Sequence, residues 1–75
     1  MAGEILVDAR GHKCPVPTLK LRRALESAPP GARLELIADD PVARIDVPHF
    51  LASAGAVLEG AVDEGKAVRF RVVKT

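Results

Sequence analysis

From Val68 to Val73 the chain reads Val-Arg-Phe-Arg-Val-Val, with Val68, Phe70 and Val72 on one side of an extended strand and Arg69, Arg71 and Val73 on the other. Side chains on a strand alternate with period two, so such a segment buries one face and shows the other to water. Arg33–Ala38 repeats the division: Leu34, Leu36 and Ala38 oppose Arg33, Glu35 and Ile37. Two strands of this kind require a sheet covered by helices on one face only. With 75 residues there is room for one domain, 1–75, and one core. Phe50 and Phe70 are the only aromatic residues, so that core is built from Val, Leu, Ile and Ala.

The punctuation places the remaining elements. Ile5-Leu6-Val7 is a short apolar run ending at Asp8, the first strand. Arg10–Lys13 is a loop, and Cys14 to Ala28 is helical, stopped by Pro29-Pro30-Gly31. On this helix Thr18, Leu21, Ala24, Leu25 and Ala28 form the core face. Asp39-Asp40-Pro41 has the form of a helix start, with an Asp cap and Pro in the first turn. Pro48 would break a continuous helix, so a short turn followed by a helix from about Asp46 to Ala54 is expected. Val47, Phe50, Leu51 and Ala54 give it one buried face, and Gly55 suits its C-terminal end. Ala56–Val62 and Ala67–Val73 are strands joined through Asp63-Glu64-Gly65-Lys66, a hairpin turn. The expected fold is an α+β, two-layer α/β sandwich in the order β-α-β-α-β-β.

Composition narrows the function. Lys and Arg number 11 against 10 Asp and Glu, a net charge of +1, which lacks the basic excess of a dedicated nucleic-acid binder. No apolar run approaches the ~20 residues of a membrane span. The first residues carry neither a basic nor an apolar targeting region, so no signal peptide is expected. A small chain with a single cysteine and no disulfide framework is expected in the cytoplasm, where thiols stay reduced.

That cysteine, Cys14, stands at the boundary of loop and helix. Pro15 suits the first helical position, and Pro17 still falls in the first turn, so Cys14 is expected as the N-cap. The positive end of a helix favours thiolate over thiol, and the thiolate is the nucleophile. Arg10, His12 and Lys13 add positive charge nearby, and Val16 N–H, with Cys14's own, is expected as the main backbone donor left by the prolines. A buried, inert cysteine is the alternative, but a boundary flanked by Lys13 and Pro15 is a poor place for one. No second thiol exists to resolve a disulfide, and His12 and His49 alone do not supply a metal site, so neither metal nor cofactor is expected. His12 is either a solvated loop residue or the partner of Cys14 in a dyad. Val16 and Leu19 lie away from the core face. With Arg10, Lys13, Lys20 and Arg23 they form either a docking rim around the thiol or ordinary exposed positions.

Asp8-x-x-Gly11-x-x-Cys14-Pro15-x-Pro17, followed by Leu36-Ile37-Ala38-Asp39-Asp40-Pro41 and Asp46-Val47-Pro48-x-Phe50, resembles the TusA/SirA-like family of sulfur carriers over nearly the whole chain. The resemblance implies a mixed four-stranded sheet with two helices on one face, as in the C-terminal domain of translation initiation factor three. It also implies that Cys14 accepts sulfane sulfur as a persulfide and relays it, a sulfurtransferase-type carrier rather than a free-standing catalyst. Pro15, Pro17, Asp8 and Gly11 would shape the motif. Implied partners are a cysteine desulfurase or rhodanese-type donor and a downstream relay protein or tRNA-thiolating enzyme. Nucleic acid would be engaged only indirectly, and the chain is expected as a monomer. His12 stands where the family often has a bulky apolar residue, and Val16 where the tRNA-thiolation branch often has an acidic one; both lie where partners would dock. The competing reading is an RNA-binding or regulatory interaction module with an incidental cysteine, its RNA surface formed by Arg33, Arg69 and Arg71; Glu35 and Glu59 are expected to share that face, which favours cross-strand ion pairing instead.

Overall fold

A computed structural model describes residues 4–13 and 15–75. The elements are β1 (Ile5–Asp8), α1 (Val16–Ser27), β2 (Arg33–Ala38), α2 (Ala43–Ser53), β3 (Ala56–Asp63) and β4 (Val68–Lys74). They form one mixed sheet in the order β1-β2-β4-β3. β1 and β2 run parallel, with Asp8 opposite Ile37, which is why α1 must cross between them. β2–β4 and β3–β4 are antiparallel.

Period two decides which face is buried. Leu34, Leu36 and Ala38 meet Val72, Phe70 and Val68 across the β2–β4 ladder, and all six are buried. From the helical layer Leu21, Leu25, Ala28, Ala43, Val47 and Leu51 close onto them. α1 packs on β1 and β2, α2 packs on β3, and the helices touch each other. On the opposite face Glu35 takes an ion pair from Arg69 at 3.0 Å and another from Arg71 at 3.4 Å. Arg69 also reaches Glu64 at 3.1 Å. Cross-strand pairing thus occupies two of the three arginines of the RNA-binding reading. Glu59 is exposed and falls at a β-bulge between Leu58 and Gly60, opposite Arg71. Ile37 belongs to this face by register, between Asp8 and Arg69, yet is only 5% exposed.

Two expectations about the helices are corrected. α2 begins at Ala43, not near Asp46, and runs through Pro48. Asp40 explains the early start: its Oδ1 accepts Val42 N–H at 3.0 Å and its carbonyl accepts Ala43 N–H at 3.0 Å, winding a turn directly into the helix. Pro48 has no N–H to donate to the carbonyl of Arg44, and the helix continues past that one missing hydrogen bond. The continuous helix also places Ala43 and Val47 one turn apart in the core, at 1% and 0% exposure.

For α1 the cap is Pro15, with φ −92° and ψ 13°, and the first helical residue is Val16. Leu19 N–H and the Thr18 hydroxyl both donate to Pro15 O, at 3.0 and 2.8 Å, so the helical ladder starts one residue later than expected. Cys14, the expected N-cap, lies outside the described residues. Pro17 is among the most deeply buried side chains, although it was not on the expected core face. At the other end Gly31 adopts φ +84°, the left-handed turn that lets the chain leave the helix for β2.

Candidate functional site

The parallel pairing of β1 and β2 brings their C-terminal ends side by side, and the loop before α1 leaves from there. Ala9 continues the pairing, its N–H donating to Ile37 O at 2.8 Å, and is fully buried. His12 N–H then donates to Ala9 O at 3.2 Å, with Gly11 at φ +81° in the third position of the turn. A left-handed residue there makes a type II turn, a geometry that favours glycine. The Gly11 N–H points out of this turn onto the carboxylate of Asp39, with both oxygens at 3.0 Å. Asp39 leads out of β2, so the loop is strapped to the neighbouring strand end across 28 residues of sequence.

Asp8 and Arg10 fold onto each other at the start of the loop. Arg10 donates from its backbone N–H (3.1 Å), Nε (3.0 Å) and a terminal nitrogen (2.8 Å) to the Asp8 carboxylate. The side-chain hydrogen bond from Arg10, followed by its backbone N–H, holds the Asp8 carboxyl far below the ordinary carboxylate range. Arg10 was expected to lend its charge to the thiol; Asp8 instead largely balances it. Lys20 adds a contact from α1, its Nζ 3.5 Å from Asp8 O.

Beyond the loop, Val16 N–H donates to Lys13 O at 3.0 Å. This corrects the expectation of a free Val16 donor between the prolines, because the turn that leads into α1 already uses it. His12, Lys13 and Pro15 are exposed. Val16, Leu19, Lys20 and Arg23 follow helical spacing along the outer side of α1 and line one shallow depression of about 340 Å³ with Arg22 and Glu26. Leu19 is 54% exposed there. Arg22 and Glu26 did not enter the sequence reading, although their positions, three and seven residues after Leu19, put them on the same face. His49 is exposed on α2. Among the described residues no cluster of His, Asp and Glu gathers in a form that would hold a metal ion. No helix among them is long and apolar enough to cross a membrane.

Asp39 is the contributor that sequence reasoning missed. Its signal was topological: once β1 and β2 are parallel neighbours, residues just after each strand must emerge together. Read locally, Asp39-Asp40-Pro41 announces only a helix start.

A two-layer β-α-β-α-β-β sandwich, with a Cys-Pro-x-Pro sequence where the loop after β1 enters α1, defines a class of small single-thiol domains. The model of the family described as sulfurtransferase TusA matches residues 5–74, and the chain belongs to that family. A sulfur carrier protein TusA of Pseudomonas fluorescens is 43% identical over 44 residues, covering 59% of this chain and 53% of that protein. The aligned stretch therefore spans about half the length of that relative. A putative sulfur carrier protein of Archaeoglobus fulgidus is 38% identical over 52 residues, 69% of this chain and 68% of its own length. The crystal structure of a SirA-like protein from Desulfitobacterium hafniense superposes with a TM-score of 0.79, covering 92% of this chain and 95% of that one. At 22% identity it establishes the shared fold.

Proposed function

We infer that this protein is a sulfur carrier that accepts sulfane sulfur on Cys14 as a persulfide and passes it to an acceptor protein. The thiolate of Cys14 attacks the terminal sulfur of a donor persulfide. The donor's S–S bond breaks, its electron pair leaves on the donor thiolate, and a new S–S bond forms at Cys14; no external oxidant is consumed. A persulfide S–H is more acidic than a thiol, so the start of α1 and the exposed Lys13 favour an anion ready for the next transfer. The donor is of cysteine desulfurase or rhodanese type, and the sulfur is destined for tRNA 2-thiouridine or another sulfur-trafficking route. Val16, Leu19, Lys20 and Arg23 form the docking rim.

One observation carries this reading: membership of the sulfurtransferase family in a chain whose single thiol sits in the family's motif, between Lys13 and Pro15. The depression along α1 supports the docking assignment, since it places exposed Leu19 among cations directly after the motif. Intact-mass spectrometry after incubation with a cysteine desulfurase and cysteine, and separately with a rhodanese and thiosulfate, provides the test. The expected result is the gain of one sulfur atom, removed by reductant and absent from Cys14→Ser. No gain from either donor, or a gain that persists in Cys14→Ser, would sink the proposal. Restoration of 2-thiouridine in cells lacking their own carrier would assign the tRNA route.

A further inference from the structure

We propose that Asp39 is a positioning residue for the sulfur-bearing loop, holding the Gly11 turn so that Cys14 is presented in one orientation to donor and acceptor. The proposal rests on the carrier reading above and adds a residue outside the Cys-Pro-x-Pro motif.

The loop between β1 and α1 is short, and its residues 10–13 are exposed and bury nothing that would hold them by packing. What orders them is hydrogen bonding. Before position 14 the Ala9–His12 turn closes at 3.2 Å, and across that position Val16 N–H reaches back to Lys13 O at 3.0 Å. Both bonds are local and move with the loop. The Asp39 carboxylate is different, because it ties Gly11 N–H to a part of the fold that cannot follow it. Ala38, immediately before it, is 1% exposed in the core, and Ile37 O is bonded to Ala9 N–H. Asp40, immediately after it, anchors the turn into α2 through Val42 N–H. Adjacent aspartates thus work in opposite directions, one onto the loop and one onto α2. A carboxylate acceptor makes the stronger, charge-assisted kind of hydrogen bond to an N–H. A nucleophile that must meet two different proteins loses rate if its loop samples several orientations, since small misplacements of reacting atoms are costly.

The experiment compares wild type, Asp39→Ala, Asp39→Asn and Asp63→Ala. Asp63 is a control of matched kind: it accepts Gly65 N–H at 3.0 Å and pairs with Arg44, in the hairpin rather than the loop. Two rates are read on folded protein below the melting transition: sulfur gain at Cys14 from a persulfide donor, and the pH profile of Cys14 alkylation by iodoacetamide. Asp39→Ala is expected to slow sulfur gain about tenfold and to displace the alkylation profile. Asp39→Asn, which keeps an acceptor oxygen, is expected within about twofold of wild type in sulfur gain, and Asp63→Ala is expected at the wild-type rate. Wild-type sulfur gain in folded Asp39→Ala, or an equal loss in Asp63→Ala, overturns the proposal. If the wild type gains no sulfur from any donor, the carrier reading fails by itself. The alkylation profile then still decides: a displacement in Asp39→Ala rescued by Asp39→Asn upholds the strap, and an unchanged profile overturns it.

Discussion

Lys74 extends from the last strand to the far end of α1, where its Nζ sits 2.6 Å from both Leu25 O and Ala28 O. α1 has no basic residue in its last turn, so the positive charge that should face the negative end of the helix comes from β4 instead. Each bond is charge-assisted and half-sheltered, and removing the amine leaves Ala28 O to water and Leu25 O with the Ala28 N–H. Lys74→Met is expected to lower stability by about 1–2 kcal/mol while leaving sulfur transfer intact, measured by urea unfolding beside the mass assay. A single core residue has a larger effect. Leu36 is fully buried at the centre of the β2–β4 ladder, and Leu36→Ala is expected to cost about 3 kcal/mol. A domain of this size has roughly 4–11 kcal/mol in total, so the variant should show a much lower urea midpoint than any surface change.

Among the elements, α2 carries an internal strain that can be relieved. Pro48 sits in its interior, where a proline is about 3 kcal/mol less favourable than alanine. Part of that difference is offset by the burial of the ring, which is half-buried. Pro48→Ala restores an N–H for Arg44 O and is expected to raise stability by about 1 kcal/mol, visible as a higher melting temperature. A lower melting temperature would mean that the ring's packing outweighs the lost hydrogen bond. The edge strand β3 shows the opposite choice. Its bulge at Glu59 interrupts the ladder, and an exposed charge at that point discourages another chain from pairing with the open edge.

For the whole molecule, two surface carboxylates set the response to acid. Asp8 is held down by the Arg10 side chain and then its backbone N–H; Asp63 by Gly65 N–H and then Arg44. A carboxyl group whose value is lower in the folded chain than in the unfolded one binds fewer protons when folded. The stability it contributes is complete above the ordinary Asp value of 3.8 and is lost as pH falls below it. Urea midpoints should therefore hold from neutrality to about pH 4.5 and decline from about pH 4 to pH 2. In the Asp8→Asn/Asp63→Asn double variant the decline should be shallower. An unchanged decline would place the acid sensitivity in other carboxylates.

Much of this molecule was already legible as sequence, because its strands and first helix are built from short-range periodicity. Alternation along Arg33–Ala38 and Val68–Val73 is enough to choose the buried face of a sheet, and that choice leads to a one-sided sandwich. Pro29-Pro30-Gly31 is enough to end a helix, since no competing contact can supply the N–H groups proline lacks. The location of the thiol, its motif and the exposed outer face of α1 are equally local. What only the tertiary structure decided are bonds between residues far apart in the chain: Asp39 to Gly11, and Lys74 to Leu25 and Ala28. None leaves a periodic trace, because a hydrogen bond needs only one donor and one acceptor brought to the same place. Local rules misjudged α2 for the same reason: Pro48 argues for a break, but burying Ala43 and Val47 together outweighs one missing hydrogen bond. The sequence by itself thus determined which faces are buried and where the single thiol stands in the chain. The packing of parallel β1 and β2 decided what holds that loop, by setting the end of one strand beside the end of the other.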